Sequence, residues 1–282
     1  MRLGFSGWAM RERPVDQQIA IVREAGYASM ALVSGPTFGL DALTAAAAER
    51  KRIRRLLDDA RLELSAVCGH ATQVDSDPAK VAANADRIRA TIDLAADLAG
   101  PEGPPCVVSM GYGTPETYEQ DREVIADRFG ELAEHAVKRG VVIALEPHVG
   151  QAFDQPEKVV WLIERINSPG YRANLDNSHF ECMGRDLDEY LPLLLPYSVH
   201  TELKDQRGIY PNHEYLIPGE GDFDYARYLT AMEKAGYAGC ITVEISVMVQ
   251  RRPGYDPAEV ARRSFATLVA AERASGVSLV HR

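Results

Sequence analysis

Along the whole chain, short runs of β-branched and apolar residues alternate with longer stretches whose apolar residues recur at helical spacing. This alternation limits the fold more than any single motif does, because it implies parallel strands joined by helices. The strand candidates are Leu3 to Ser6, Ser29 to Val33, Glu63 to Cys68, Cys106 to Met110, Val141 to Glu146, Tyr171 to Asp176, Val199 to Lys204 and Cys240 to Ile245. Between and after them lie amphipathic stretches at Asp16 to Ala25, Asp41 to Ala60, Val81 to Ala99, Tyr118 to Arg139, Pro156 to Ile166, Asp186 to Leu195, Tyr225 to Ala235 and Pro257 to Ala274. Gly26, Gly100, Gly140 and Gly236 follow helical stretches where a left-handed cap favours a residue without Cβ. Eight strands with eight helices fit a closed (β/α)8 barrel of the α/β class, as one domain over residues 1–282. A doubly wound open sheet is the rival, but the first strand-to-helix turn lacks the Gly-rich phosphate loop of dinucleotide binders.

Composition narrows the function classes. A formal charge of -10 argues against nucleic acid, whose binding draws on clustered Lys and Arg. No long apolar run suggests a membrane span, and the stretch after Met10, Arg11-Glu12-Arg13-Pro14, is charged rather than signal-like, so a cytoplasmic protein is expected. Cys68, Cys106, Cys182 and Cys240 form no CxxC pair and read as small apolar fillers.

In such a barrel the reactive groups come from the carboxyl ends of the strands, and here four consecutive strands carry acids there. Strand five ends Glu146-Pro147-His148, strand six ends Asp176-Asn177-Ser178-His179, strand seven reads His200-Thr201-Glu202-Leu203-Lys204, and strand eight reads Val243-Glu244-Ile245. Carboxylates embedded in apolar strands are costly unless paired or bound to a cation, so one shared divalent ion explains all four together. Oxygen ligands with at most one imidazole suit Mn2+ first, with Mg2+, Co2+ and Zn2+ admitted.

At these residues the chain resembles the sugar phosphate isomerase/epimerase group of xylose isomerase-like TIM barrels, which includes ketose 3-epimerases and inosose dehydratases. The resemblance rests on Leu145-Glu146-Pro147-His148, Leu175-Asp176-Asn177-Ser178-His179, Leu203-Lys204-Asp205, Pro218-Gly219-Glu220-Gly221-Asp222-Phe223-Asp224 and Val243-Glu244. It implies Glu146, Asp176 and Glu244 as metal ligands and His179 as a group touching substrate oxygen. The family's strand-seven motif commonly runs His-x-His-x-Lys-Asp, whereas this chain has Glu202 at the second histidine and retains His200. His200 and Glu202, two apart on a strand, share a face, so either is a candidate fourth ligand. Ala31 stands where many relatives carry a glutamate.

The activity expected is that of a metal-dependent isomerase or epimerase acting on a small polyhydroxylated carbonyl compound, a sugar, inosose or glycoside. Proton abstraction beside the carbonyl would pass through a metal-stabilised enediolate, with Glu146 and Glu244 as the acid/base pair. Loss of a β-substituent from the same species would make the enzyme a dehydratase or lyase, with His148 or His70 protonating the leaving group. Lys204 is expected either on a substrate oxygen or against Glu202, Arg207 on a hydroxyl or phosphate, and Trp8 as an apolar wall for a sugar ring. From another class, the barrel would be a non-catalytic subunit or binding module. A homo- or hetero-oligomer fits the family, and no surface stripe assigns an interface. A nuclease of the endonuclease IV branch would need more imidazole ligands, yet His135, His213 and His281 lie outside the strand ends.

Overall fold

The computed structural model describes residues 1–282. Eight parallel strands close into a barrel: β1 (Arg2–Ser6), β2 (Ser29–Val33), β3 (Glu63–Cys68), β4 (Cys106–Met110), β5 (Ile143–Glu146), β6 (Tyr171–Asp176), β7 (Ser198–Leu203) and, after a small hairpin of β8 (Asp205–Arg207) and β9 (Glu214–Leu216), β10 (Cys240–Val243). Around the barrel the order is β1-β10-β7-β6-β5-β4-β3-β2, so each strand lies beside its sequence neighbour and β10 returns to β1.

The helices are α1 (Val15–Ala25), α2 (Ala47–Ala60), α3 (Pro78–Asp97), α4 (Tyr118–Lys138), α5 (Pro156–Ile166), the short α6 (Asn177–Glu181), α7 (Leu187–Leu194), α8 (Tyr225–Lys234), the short α9 (Val247–Gln250) and α10 (Pro257–Ser275). No helix is long and apolar enough to cross a membrane. In α1, Val15, Ile19 and Val22 are buried at helical spacing, and Gly26 ends the helix in the left-handed region at φ 103°. Gly140 and Gly236 also adopt positive φ after α4 and α8, but Gly100 does not. There α3 stops at Asp97, and Gly100 instead pairs with Gly103 in a tight turn. The helix expected from Asp41 begins only at Ala47, because the Asp41 carboxylate accepts the Leu43 N–H and holds a turn.

Alternation along the strands separates two apolar regions. Leu3 and Phe5, Met30 and Leu32, Ile143 and Leu145, and Ile241 and Val243 face outward and pack with Val22, Ile53, Ile92, Phe129, Leu162 and Leu229 of the helices. A separate cluster inside the barrel contains Ala31, Val33, Ala66, Cys68, Cys106, Val108 and Ala144. All four cysteines are buried and free.

Candidate active site

Strand register brings the acids together. Asp176 on β6 lies opposite Glu202 on β7, which in turn lies opposite Thr242 on β10, two residues before Glu244. Glu146 ends β5 opposite Met110. Carboxylate oxygens of Glu146, Glu202 and Glu244 all fall within 4.8 Å of one another, and a second trio of Glu146, Asp176 and His179 meets the same limit. All of these residues are buried.

Lys204, just past β7, places its ammonium among the acids. Its Nζ pairs with Asp176, lies 3.1 Å from Glu244 Oε1 and lies 3.6 Å from Glu146 Oε1. It therefore pairs with those three acids and not directly with Glu202. Four carboxyl groups face one ammonium, so the excess acids either keep their protons or ionise against a further cation. Burial pushes Glu202 well above the usual carboxylate range, and the charges of Glu244 and Glu146 push the same way. Burial likewise raises Glu244, to about 7, against the pull of Lys204. Burial also acts to raise Glu146, but the His179 hydrogen bond and the Lys204 charge outweigh it and hold that carboxyl low. These opposed shifts within one buried cluster fit a cation-binding donor set of hard oxygens.

His200 stands apart from this cluster. Its Nδ1 lies 2.9 Å from Asn174 Oδ1, and its Nε2 lies 2.9 Å from Thr242 Oγ1 and 3.2 Å from Ser65 Oγ. One residue step of two on β7 separates it from Glu202, so it sits one layer deeper, with both ring nitrogens engaged. Burial lowers its pKa to about 4, so it is neutral there. Asn174 connects the two layers by donating from Nδ2 to Glu202 Oε2 at 2.6 Å.

Above the acids a cavity of about 100 Å3 is lined by Trp8, His70, Glu146, His148, His179 and Lys204, with Tyr215, Glu244 and Val247 among the other residues of its wall. His179 Nε2 lies 3.4 Å from Glu146 Oε1, and its Nδ1 lies 2.8 Å from the Tyr215 hydroxyl. Its ring is 4.1 Å, centre to centre, from that of His148. His70 Nε2 lies 3.6 Å from Glu146 Oε2, while its buried Nδ1 has no partner in the protein. Trp8 stacks on Phe38 and meets the edge of His70. Arg207 does not reach this cavity. Its side chain is 53% exposed, pairs with Asp222 at 3.4 Å and donates to the Glu220 carbonyl.

Of three further contributors, Tyr215 lies outside the strand ends, while Asn174 and Asp205 belong to the strand-end runs of Asp176 and Lys204. Asn174 lies two residues before Asp176, and that spacing alone was a usable signal for a shared face. Tyr215 arrives from β9 of the hairpin, and nothing local in the sequence points it at His179. Asp205 accepts the backbone N–H groups of Gly219 and Gly221, at 2.8 and 3.0 Å, and so holds the Pro218 to Asp224 loop beside the β8–β9 hairpin, where Thr267 and Arg263 of α10 also bond it. A Cβ at Gly221 would meet Asp205 Oδ1 at 2.2 Å, which explains why that position has no side chain.

Comparison with known proteins follows the same lines. Inosose dehydratase from Glaesserella parasuis serovar 5 (strain SH0165) is 25% identical over 149 residues, covering 45% of this chain and 48% of that protein. The chain thus spans about half the length of this relative. In fold it is similar to D-psicose 3-epimerase from Clostridium cellulolyticum H10, with a TM-score of 0.80, 14% identity, and 98% and 99% of the two chains covered. It is also similar to 3-keto-D-glucoside 4-epimerase from E. coli, with a TM-score of 0.75, 16% identity, and 96% and 99% covered. A family model described as xylose isomerase-like TIM barrel matches residues 19–270, most of the barrel, and the chain belongs to that family.

Proposed function

We propose that the protein is a divalent-metal-dependent isomerase or epimerase that moves a proton on the carbon beside a carbonyl of a small polyhydroxylated compound. The observation that carries this reading is the pair Glu146 and Glu244, two carboxylates from β5 and from the end of β10 that line one cavity with Lys204 between them. Glu146, Asp176, Glu202 and Glu244 would hold the ion, and His200 is left to its own hydrogen-bonded layer. A hard, all-oxygen set of this kind favours Mn2+ or Mg2+. When bound, the ion supplies positive charge that offsets the negative charge of an enediolate.

Glu146, held ionised, takes the proton from the carbon. Lys204 and His179 lie beside it and donate hydrogen bonds to the oxygen on which charge develops. Glu244, raised to about 7, donates a proton of its own to the opposite face of the carbon to give an epimer, or to the neighbouring carbon, with a proton moving between the two oxygens, to give an isomer. Glu146 then loses the abstracted proton to solvent and Glu244 regains one. The imidazoles of His70 and His148 on the same wall favour a second reading, dehydration, since either is placed to protonate a departing β-hydroxyl. Trp8 supplies the apolar side of the cavity.

Incubation with ketoses, inososes and 3-oxo-glycosides in D2O with Mn2+ tests this function. Deuterium uptake beside the carbonyl, or release of water from an inosose, is the expected result. No exchange and no elimination across the panel overturns the reading. Metal binding is tested separately: at a hundredfold excess over its Kd, Mn2+ is expected to stabilise the protein by about 2.7 kcal/mol in thermal unfolding.

A further inference from the structure

A second cavity, of about 420 Å3, lies beside the first, between the turn that follows β1 and the loop that follows β10. Val247 lines both cavities. Arg11, Arg13 and Arg251 line the second one, and none of the three guanidinium groups has a carboxylate partner in the fold. Their neighbour Arg252 shows the usual alternative: it pairs with Glu220 at 2.7 Å and with Glu214 at 3.6 Å.

The floor of this cavity is held in place. Gln250 Nε2 donates to the Trp8 and Ile245 carbonyls, at 3.0 and 2.8 Å, and the Tyr255 hydroxyl donates to the Ala9 carbonyl at 2.8 Å. Arg11 is further positioned with its guanidinium carbon 4.8 Å from the centre of the Trp8 ring, on the aromatic wall of the first cavity. These three arginines are solvent-exposed at the rim of the cavity, in a chain of net charge -10, and what sets them apart is that they line a cavity sharing Val247 with the one above the buried carboxylates. Such a group creates a local positive potential that draws and holds an oxyanion which the acids alone would repel.

We infer that Arg11, Arg13 and Arg251 form a subsite for an anionic group, a phosphate ester or a carboxylate, carried on the far end of the substrate whose carbonyl end lies at Glu146 and Glu244. The inference rests on the acid cluster being the catalytic centre and adds the charge class of the molecule that fills it.

The test compares a free ketohexose, its 6-phosphate and the matching 6-carboxylate as substrates of the metal-loaded enzyme. One anionic member is expected to exceed the neutral sugar in kcat/KM, and which one does so identifies the group. In the double variant Arg13→Gln/Arg251→Gln the anionic-over-neutral ratio is expected to fall about a hundredfold, at roughly tenfold for each charge-assisted contact. Arg13→Lys/Arg251→Lys, which keeps the charge and loses the planar fork, is expected to recover part of it. Calorimetric titration with inorganic phosphate provides a readout independent of turnover, with binding expected in the parent and lost in the glutamine variant. An unchanged ratio, or equal phosphate binding by parent and glutamine variant, overturns the subsite. Arginine-dependent phosphate binding without turnover of any ketose instead overturns the isomerase reading and keeps the anion site.

Discussion

The interior of the barrel has two unlike halves. On β2, β3 and β4 the inward positions are mostly apolar, Ala31, Val33, Ala66, Cys68, Cys106 and Val108, continued by Ala144 of β5, with Ser65 of β3 the polar exception. On β6, β7 and β10 they are Asn174, Asp176, His200, Glu202 and Thr242, with Glu244 following. The backbone is the same around the ring, so the asymmetry lies entirely in the side chains. Every polar residue of the second half is joined to another: His200 to Asn174, Asn174 to Glu202, Asp176 to Lys204 and Lys204 to Glu244. The apolar half offers few such partners: the Ser65 hydroxyl, 3.2 Å from His200 Nε2 and 3.4 Å from Thr242 Oγ1, and the Cys68 thiol, 3.9 Å from Glu202 Oε1. That half lowers the dielectric around the charges opposite, which strengthens their interactions and makes an unpaired group there expensive.

Substitutions on either side of that division should behave differently. The largest effect is expected on the polar side, where Glu146→Gln removes the proposed base and should lower kcat about 10²–10⁴-fold, measured as deuterium exchange on any accepted substrate. A variant that keeps parental exchange would remove Glu146 from the chemistry. On the apolar side, Val108→Asn places an amide between Cys68 and Ala144 and is expected to reduce stability by about 2–4 kcal/mol in denaturant unfolding, whereas Val108→Ala, a smaller loss of packing, should cost less. If the asparagine is tolerated as well as the alanine, the two halves are not as different as described.

A smaller effect is expected at the junction of the layers. Asn174→Leu leaves Glu202 without its 2.6 Å donor and His200 Nδ1 without its partner. Metal affinity by calorimetry is expected to fall about 10–100-fold, as for other residues that orient ligands. Unaltered affinity would show that Glu202 needs no such support.

The smallest effect concerns Glu181, outside the barrel interior, whose burial pushes its carboxyl from the ordinary 4.5 up to about 7, with the Tyr190 hydroxyl opposing the rise. The folded protein therefore holds this proton more tightly than the unfolded chain does. Its contribution is fully present below about pH 4.5 and is lost as pH rises towards 7. Glu181→Gln should remove that loss and raise Tm at pH 8 by about 2–4 °C relative to the parent, with less gain at pH 5. Equal Tm differences at the two pH values would contradict the assignment.

Much of this division could be read from single strands. Glu146, Asp176, Glu202 and Glu244 stand out because a carboxylate at the end of an apolar run is conspicuous without any knowledge of its neighbours. Arg207 shows the limit of that reading: its place just after a strand suggested the cavity, yet it turns out to solvent and pairs with Asp222. The helix boundaries near Asp41 and Gly100 likewise moved because a turn satisfied the backbone locally, at Asp41 through its own carboxylate.

By itself, the sequence determined the barrel, through periods that switch between strand and helix, and the set of acids, through their cost in apolar strands. Only the tertiary structure decided which acids Lys204 pairs with, that Glu202 rather than His200 lies among the clustered acids, and that Tyr215 lines the mouth. These depend on stagger between neighbouring strands and on a hairpin folding back across the barrel end. Register and long-range closure are properties of paired segments, and no one segment encodes them.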